Sequence, residues 1–301
     1  MNIIDDLDNS PEFKRVQNLR QIDFCLNIFY YNQNDLLEIV KYGTDPDNIT
    51  ELYVLEKELE KNEFTNRLIA KLHNFIASGY TLIDSTDTFI KKNYKGEKIE
   101  YEFKIKLEEL FKDPYFNLHY HIRRYFQHFQ VPDIIIDIEH KPESGRKIEI
   151  LLSKQEFIKF IPKKDDKGRI QSASEYLEKL DSDINLYKFV IKYEVIIKMF
   201  FEWLYDKLKE IHKNDIATVN EKTNAIRKVW IPTSISGTIQ IYKFGNMQPD
   251  SIFAGSIKPE KFKEISESKL PMNEKLKLYL TEIKDIELGE NIIIQLKQIF
   301  Q

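Results

Sequence analysis

The sequence predicts a mainly α-helical protein, a helical bundle with a β-hairpin insertion and a small mixed C-terminal part. Apolar residues recur at three- and four-residue steps through most of the first half of the chain, which is the spacing of one helix face. Glycine is scarce, at 9 of 301 residues, and this disfavours the glycine-rich turns of β-sandwiches. One short stretch departs from the helical period, and the hairpin is predicted there.

Breaker residues divide the helical pattern. The cluster Gly43-Thr-Asp-Pro-Asp ends the first segment, Asp113-Pro114 ends the third, and Pro132 ends the fourth. The second segment contains no proline, so it is one long helix or two in line. The predicted helical segments are 10–42, 51–93, 100–111 and 115–131.

The second half of the chain changes period. Two β-branched runs separated by Lys-Pro-Glu-Ser-Gly predict a β-hairpin over residues 133–152. Ser153 with Glu156, and Ser172 with Glu175, each fit a capping box that opens a helix, and the second leads into a long apolar helix. Residues 222–301 predict a mixed α/β extension. Without repeats or low-complexity linkers, residues 1–301 are interpreted as a single helical domain.

Composition excludes several classes of protein. The net charge of -4 excludes a globally basic nucleic-acid binder, so a nucleic-acid site must be a local patch. The single Cys25 allows neither an internal disulfide nor a cysteine-ligated metal, so a cytoplasmic location is expected. Residues 1–10 carry three Asp and no basic region, unlike a signal peptide. The most apolar stretch, 187–208, contains seven charged residues, so no membrane span is expected.

The segment 115–131 holds the most distinctive group of side chains. It contains no acidic residue, although 31% of the chain is charged, and it carries His119, His121, Arg123, Arg124 and His128. At 100° per residue, His121, Arg124 and His128 lie along one side of a helix, whereas Arg123 is about 140° away from His128. His119 and His121 face different sides and no cysteine or nearby carboxylate completes a ligand set, so no metal site is predicted.

Arg123-Arg-Tyr-Phe-Gln-His128 resembles the signature of the HEPN superfamily (higher eukaryotes and prokaryotes nucleotide-binding), in which four to six residues separate an arginine from a histidine. An upstream long helix that includes Leu72–Thr86, and Pro132 after the motif, extend the resemblance over about 51–132, in the manner of a bacterial branch. It implies a helical bundle that dimerises with two motifs facing across the two-fold axis. Active members of the family are metal-independent endoribonucleases.

The resemblance implies that Arg123 and His128 are catalytic. From their place on the same helix, Arg124 and His121 are expected to bind substrate, and His121 is a candidate second proton carrier within the chain. Metal-free RNA cleavage needs a base for the 2′-hydroxyl, an acid for the leaving oxygen and a cation for the phosphorane, and histidine and arginine supply these groups. The family usually has a polar residue, often Asn, where this chain has Arg124. The expected partners are RNA, a second copy of the chain and an antitoxin or defence partner protein, with no cofactor.

Two hypotheses therefore stand. The first is a homodimeric, metal-independent ribonuclease used in toxin-antitoxin systems or antiphage defence. The second is a catalytically silent scaffold for dimerisation or protein binding, favoured by Arg124 and by the acidic first 50 residues. His73, Asn74 and Asp84 on the long helix are candidates to reach the motif, although core, capping or surface roles are common for such residues. The acid-free stretch 222–249 is either an RNA-tracking surface or a basic hairpin that covers the bundle.

Overall fold

A computed structural model describes residues 3–53, 57–141, 145–160 and 168–223, and short pieces at 264–265, 267–271, 274–275 and 278. The chain divides into two compact units: a central unit, Asn18–Ile211, and a terminal unit formed by Met1–Gln17 and His212–Gln301. The described residues are mainly helical with a small antiparallel sheet, which confirms the predicted fold class. The strands predicted in the C-terminal extension, and most of its predicted helices, lie outside the described residues.

Helices dominate the described parts of both units. In chain order they are α1 (Ile3–Asn9), α2 (Pro11–Thr44), α3 (Pro46–Leu52), α4 (Glu58–Asn93), α5 (Lys98–Leu110), α6 (Pro114–His128), α7 (Lys154–Lys159), α8 (Arg169–Glu178) and α9 (Leu186–Ile211). Residues 213–223 are helical as well. Within the described ranges, no helix has both the length and the apolar character that a membrane crossing requires.

Two Asp-Pro pairs end one helix and open the next. Asp45 accepts hydrogen bonds from the backbone of Asp47 and Asn48, and Asp113 does the same for Tyr115 and Phe116 at 2.8 and 2.9 Å. The proline that follows each aspartate takes the first helical position, where no backbone donor is needed. The start of α6 is therefore fixed locally.

The predicted hairpin is present. Strands β1 (Ile134–Lys141) and β2 (Gly145–Leu152) pair antiparallel, with Ile134 opposite Leu152. A third strand, β3 (Ile184–Asn185), pairs with the other edge of β2 and was not predicted. Alternate residues of β2 turn toward the core, where Ile148, Ile150 and Leu152 are buried.

The two predicted capping boxes fail in different ways. Ser153 does precede α7, but its side chain makes no cap hydrogen bond, and the backbone N–H of Lys154 donates to Asp183 instead, at 2.9 Å. The box predicted at Ser172 is wrong, because α8 begins at Arg169 after Gly168, whose φ of 72° is left-handed. α8 also ends before β3, so the long apolar helix α9 is a separate element.

The core of the central unit surrounds the first half of α6. This helix contacts α4, α7, α8 and α9, and every residue from Tyr115 to Ile122 is buried. Aromatic rings fill the space on the side of α9, where Tyr193 stacks on His119 and Phe116. In the second half of α6 Tyr125 is still buried, whereas Arg123 and Arg124 are half-buried and Gln127 and His128 are exposed.

A charge network belongs to the terminal unit. Arg15 donates two hydrogen bonds to the carboxylate of Asp215, at 2.8 and 2.7 Å, and buried His212 contacts the same carboxylate through Nδ1 at 2.8 Å. The Arg15 hydrogen bond, aided by His212, holds the pKa of Asp215 well below its usual range. The network joins two segments of this unit that are 200 residues apart in the sequence.

Candidate functional site

The second half of α6 carries the predicted catalytic residues. Arg123 and Arg124 are half-buried, and His128, the last residue of the helix, is exposed. No described carboxylate forms an ion pair with any of the three. The structure therefore leaves the positive charge of this half without a neutralising partner among the residues it describes.

Arg123 faces α4. Its guanidinium carbon lies 3.4 Å from the centroid of the Tyr80 ring, so the cation stacks on the aromatic face. One turn further along α6, the Phe126 ring makes an edge contact with His73, with centroids 5.6 Å apart. The structure thus brings His73 to the motif helix at Phe126, as the sequence allowed, and adds Tyr80 as the residue that positions Arg123.

Arg124 and His128 lie on a different side of α6 from Arg123. His128 lies five helical steps after Arg123, which corresponds to about 7.5 Å along the axis and about 140° around it. The Nε atom of Arg124 is buried without a hydrogen-bond partner among the described residues. Within one chain the structure does not assemble Arg123 and His128 into a single pair.

His121, predicted to bind substrate, is instead enclosed in the core. Its side chain is 0% exposed, and its Nε2 makes a 2.8 Å hydrogen bond with the backbone carbonyl oxygen of Phe157. The ring also packs against Phe157 and Phe160, which cover this side of α6. In the described chain His121 joins α6 to α7 and presents no surface to a substrate.

Hydrogen bonds fix the segment that follows His128. Tyr125 donates its hydroxyl to Glu156 at 3.0 Å and accepts a bond from Gln130 at 2.9 Å, while the backbone N–H of Asp133 also donates to Glu156. Burial, together with the bond to the Glu156 carboxyl, raises the pKa of Tyr125 to about 12. The C-terminal end of α6 is therefore tied to α7 and to the start of the hairpin.

A second feature of α6 was not identified from the sequence. His119 is 2% exposed, and its ring stacks on Tyr193 with centroids 3.9 Å apart and planes inclined by only 5°. Its Nε2 points at α4 where Gly79 provides no side chain, since a Cβ at position 79 would lie 2.7 Å from that atom. A glycine inside a long helix is the sequence signal that marks such a close approach.

A cleft opens between His119, Gly79 and the aromatic residues around them. Its volume is about 110 Å³, and it adjoins a larger depression of about 480 Å³ between α4 and α5. The two depressions share wall residues Asp87, Leu107, Phe111 and Arg169. The two depressions are therefore neighbours on the surface formed by α4, α5 and α8.

The electrostatics of the cleft keep His119 neutral. Burial lowers the pKa of His119 well below its ordinary value, and the nearby charges of Arg169 and Arg123 lower it further. His119 makes a hydrogen bond with the backbone of Phe75. Since Nε2 has no partner among the described residues, this bond is assigned to the other ring nitrogen, Nδ1. The Nε2 atom is accordingly a buried hydrogen-bond acceptor.

The described part of the chain contains no group of three or more His, Cys, Asp or Glu side chains that could hold a metal ion.

No family model matches this chain, and no curated protein or solved structure matches it either. The class of protein that the fold and site define therefore follows from the chain's own geometry. It is a helical bundle with a cationic helix end and an adjoining aromatic cleft.

Proposed function

We propose that the chain is a homodimeric, metal-independent endoribonuclease of the HEPN type, in which Arg123 and His128 are catalytic and Arg124 contacts the RNA. One observation carries the proposal: Arg123, Arg124 and His128 have no ion-pair partner among the described residues, in a chain where acids slightly outnumber bases. Cations kept apart from carboxylates are available to phosphate groups.

The proposed reaction is an internal transfer at phosphorus. The 2′-oxygen attacks the phosphorus while a base takes its proton, the bond to the 5′-oxygen breaks, and an acid protonates that oxygen. Arg123 stabilises the charge that develops on the phosphorane oxygens. The products are a 2′,3′-cyclic phosphate and a free 5′-hydroxyl, so water and metal are not needed for this step.

Two proton carriers are needed, and the second comes from a second copy of the chain. His121 is enclosed, and His128 is the exposed histidine of the motif. A two-fold axis close to the end of α6 brings together two His128 side chains and the Arg123 of each chain. In such a dimer the 140° that separates Arg123 from His128 around one helix is no obstacle, because Arg123 of one chain acts with His128 of the other.

Exposed apolar residues support dimerisation at this end of α6. Phe129 and Val131, which follow His128 directly, are 63% and 51% exposed. Apolar side chains beside an active site are removed from water when a partner chain covers them.

Light scattering should find a dimer at micromolar concentration, and the double variant Phe129→Asp, Val131→Asp should be a monomer. A wild-type monomer would count against the proposal.

The deciding experiment is RNA cleavage in EDTA by wild type and His128→Ala. His140→Ala is the matched control, because His140 is an exposed histidine on β1, outside the motif. We expect wild type and the control to produce 2′,3′-cyclic phosphate ends, and His128→Ala to be inactive. Activity that chelation abolishes and added metal restores would exclude this mechanism.

A scaffold is the second candidate function, and the same exposed Phe129 and Val131 favour it as a protein-binding surface. If wild type cleaves no RNA but remains a dimer, the scaffold takes the place of the nuclease.

The proposed biological role is toxin-antitoxin function or antiphage defence in the cytoplasm, and the proposed partner is an antitoxin or defence protein. Capture of RNA fragments by wild type from infected or stressed cells would favour the nuclease.

A further inference from the structure

Strand β1 forms an edge of the small sheet. The strand order is β1-β2-β3, and among the described residues β1 pairs only with β2. Half of the backbone N–H and C=O groups of an edge strand point away from its neighbour and are open to a further strand. No backbone group of the described residues bonds to this outer edge. The edge of β1 is therefore a surface to which another extended segment can be added.

The apolar side of β1 is covered incompletely. Three isoleucines lie opposite buried residues of β2 and so share the core-facing side of the sheet: Ile134, Ile136 and Ile138. Ile134 and Ile136 are half-buried, and Ile138 is 44% exposed. Asp137 lies on the opposite face of the strand, so no charged side chain interrupts the isoleucine row. Natural edge strands commonly carry charges that prevent pairing, and this side of β1 has none between its isoleucines.

The sequence of β1 is complementary to itself. When two copies run antiparallel with Ile136 at the two-fold axis, Ile136 lies opposite its own copy, and Ile134 lies opposite Ile138 of the partner subunit. The isoleucine row then continues across both strands. Sliding one strand by two positions either brings Asp137 opposite its own copy, which like charges disfavour, or shortens the paired stretch. A slip of one position exchanges the two faces of the strand. Ile136 is therefore the favoured centre of the pairing.

The edge of β1 is held next to the end of α6. Only residues 129–133 separate His128 from the start of β1. Glu156 accepts hydrogen bonds from the hydroxyl of Tyr125 and from the backbone N–H of Asp133, which fixes this connection. The exposed apolar residues of the connection continue the uncovered surface of β1. A partner that pairs with β1 therefore also lies beside the motif.

We propose that β1 pairs antiparallel with β1 of a second copy of the chain, so that two three-stranded sheets join into one around Ile136. The choice of a second copy follows from the self-complementary register and rests on the proposed function, which needs a dimer with two α6 ends near one axis. Four residue steps of about 3.4 Å separate the two copies of Ile134, or about 14 Å in all. The strand pairing thus sets the spacing of the two motifs.

A cysteine at the two-fold axis tests the register. In a Cys25→Ser background, which removes the native thiol, Ile136→Cys places a cysteine opposite its own copy at a Cα separation of about 4.5–5.5 Å, within reach of a disulfide. Ile138→Cys is the matched control, because that position is more exposed but its two copies are about 14 Å apart. Under mild oxidation we expect a covalent dimer on a non-reducing gel from Ile136→Cys alone. No link at position 136, or equal linking at both positions, would overturn the pairing.

A charge on the edge tests the same contact without oxidation. Ile138→Lys places a cation against the isoleucine row and should give a monomer by light scattering, with an unchanged circular dichroism spectrum. Ile105→Lys, at an exposed isoleucine of α5, should leave the dimer intact. A folded Ile138→Lys that remains a dimer would refute the pairing.

An RNA cleavage assay separates this interface from the proposed function. A chain that forms the Ile136→Cys link but cleaves no RNA in its wild-type form keeps the interface and loses the nuclease. A chain that cleaves RNA without forming the link keeps the nuclease and loses the interface. Pairing of β1 with a different protein, or with another segment of the same chain, also leaves Ile136→Cys unlinked and so counts against the proposal.

Discussion

The two halves of α6 contrast sharply although one continuous helix carries both. From Tyr115 to Ile122 every residue is buried, including His119 and His121. From Arg123 onward the charged side chains reach the surface, and His128 is exposed. His119 and His121 therefore lie in the core, whereas His128, at most nine residues later on the same helix, faces solvent.

The difference arises from what packs around the helix. Near its start α6 is enclosed by helices on several sides, whereas α4 alone supplies the ring on which Arg123 stacks. An enclosed histidine must be neutral or fully hydrogen-bonded, whereas an exposed one is free to exchange protons. The same residue type thus has a packing role in one half and a chemical role in the other.

The largest expected effect is a difference in the free energy of unfolding between substitutions in the two halves of α6. Leu118→Ala removes a fully buried side chain and should lower the free energy of unfolding by about 2–5 kcal/mol. Gln127→Ala, in the exposed half of the same helix, should change it by less than about 0.5 kcal/mol. Urea unfolding followed by circular dichroism measures both, and equal losses would show that the halves do not differ in packing.

The next effect separates the two arginines. Arg123→Ala should reduce the rate of RNA cleavage about 10²- to 10³-fold, or about 2.7–4 kcal/mol, because it removes a donor to the transition state. Arg124→Ala should mainly weaken RNA binding and its dependence on salt. Single-turnover kinetics at several salt concentrations distinguish these outcomes. If the phenotypes are reversed, Arg124 is the catalytic arginine and the alignment of the motif is wrong.

A pH experiment sharpens the contrast between histidines. Because burial lowers the pKa of His119, the unfolded chain binds a proton below about pH 6.5 that the folded chain refuses. Stability should fall as the pH drops from about 7 to 5, by up to about 1.4 kcal/mol per pH unit from this residue. The stability of His119→Phe should depend on pH less steeply than that of wild type, by about one proton, in urea unfolding at several pH values. An unchanged slope in His119→Phe would mean that His119 becomes protonated in the folded chain.

The smallest effect concerns the tether after α6. Tyr125→Phe loses the hydroxyl that joins Glu156 and Gln130 and should destabilise the fold by about 1 kcal/mol. Tyr101→Phe is the control, since Tyr101 is 63% exposed on α5. A thermal melt measures both variants. Identical melting temperatures would show that these hydrogen bonds contribute no net stability.

Local signals in the sequence predicted most of the fold. Helical period and the Asp-Pro pairs located α2, α5 and α6, and the β-branched runs located the hairpin. Tertiary contacts overrode other local signals. Ser172 resembles a helix cap but lies inside α8, where its hydroxyl accepts a hydrogen bond from Asn117 of α6 at 3.3 Å. β3 has only two residues and forms because β2 offers a free edge, which no local pattern reveals.

The candidate site was predicted less completely than the fold. The sequence identified the charged residues of α6 and their angles around the helix, because both depend only on spacing. It could not show that α7 and the residue after it cover His121, since Phe157 is 36 residues further along the chain and Phe160 lies beyond it. The His119 cleft needs residues from α4, α5, α6, α8 and α9 together, so spacing within one segment could not reveal it.

The glycine at position 79 also has an evolutionary consequence. Any glycine codon becomes an alanine codon through a single base change, and that change would put a methyl group against the His119 ring. Because the His119 ring already occupies the space that this methyl group would need, alanine could be accepted only if His119 or Tyr193 shifted. Glycine kept at this position while neighbouring residues of α4 diverge would be the record of selection for the close contact between α4 and the His119 ring.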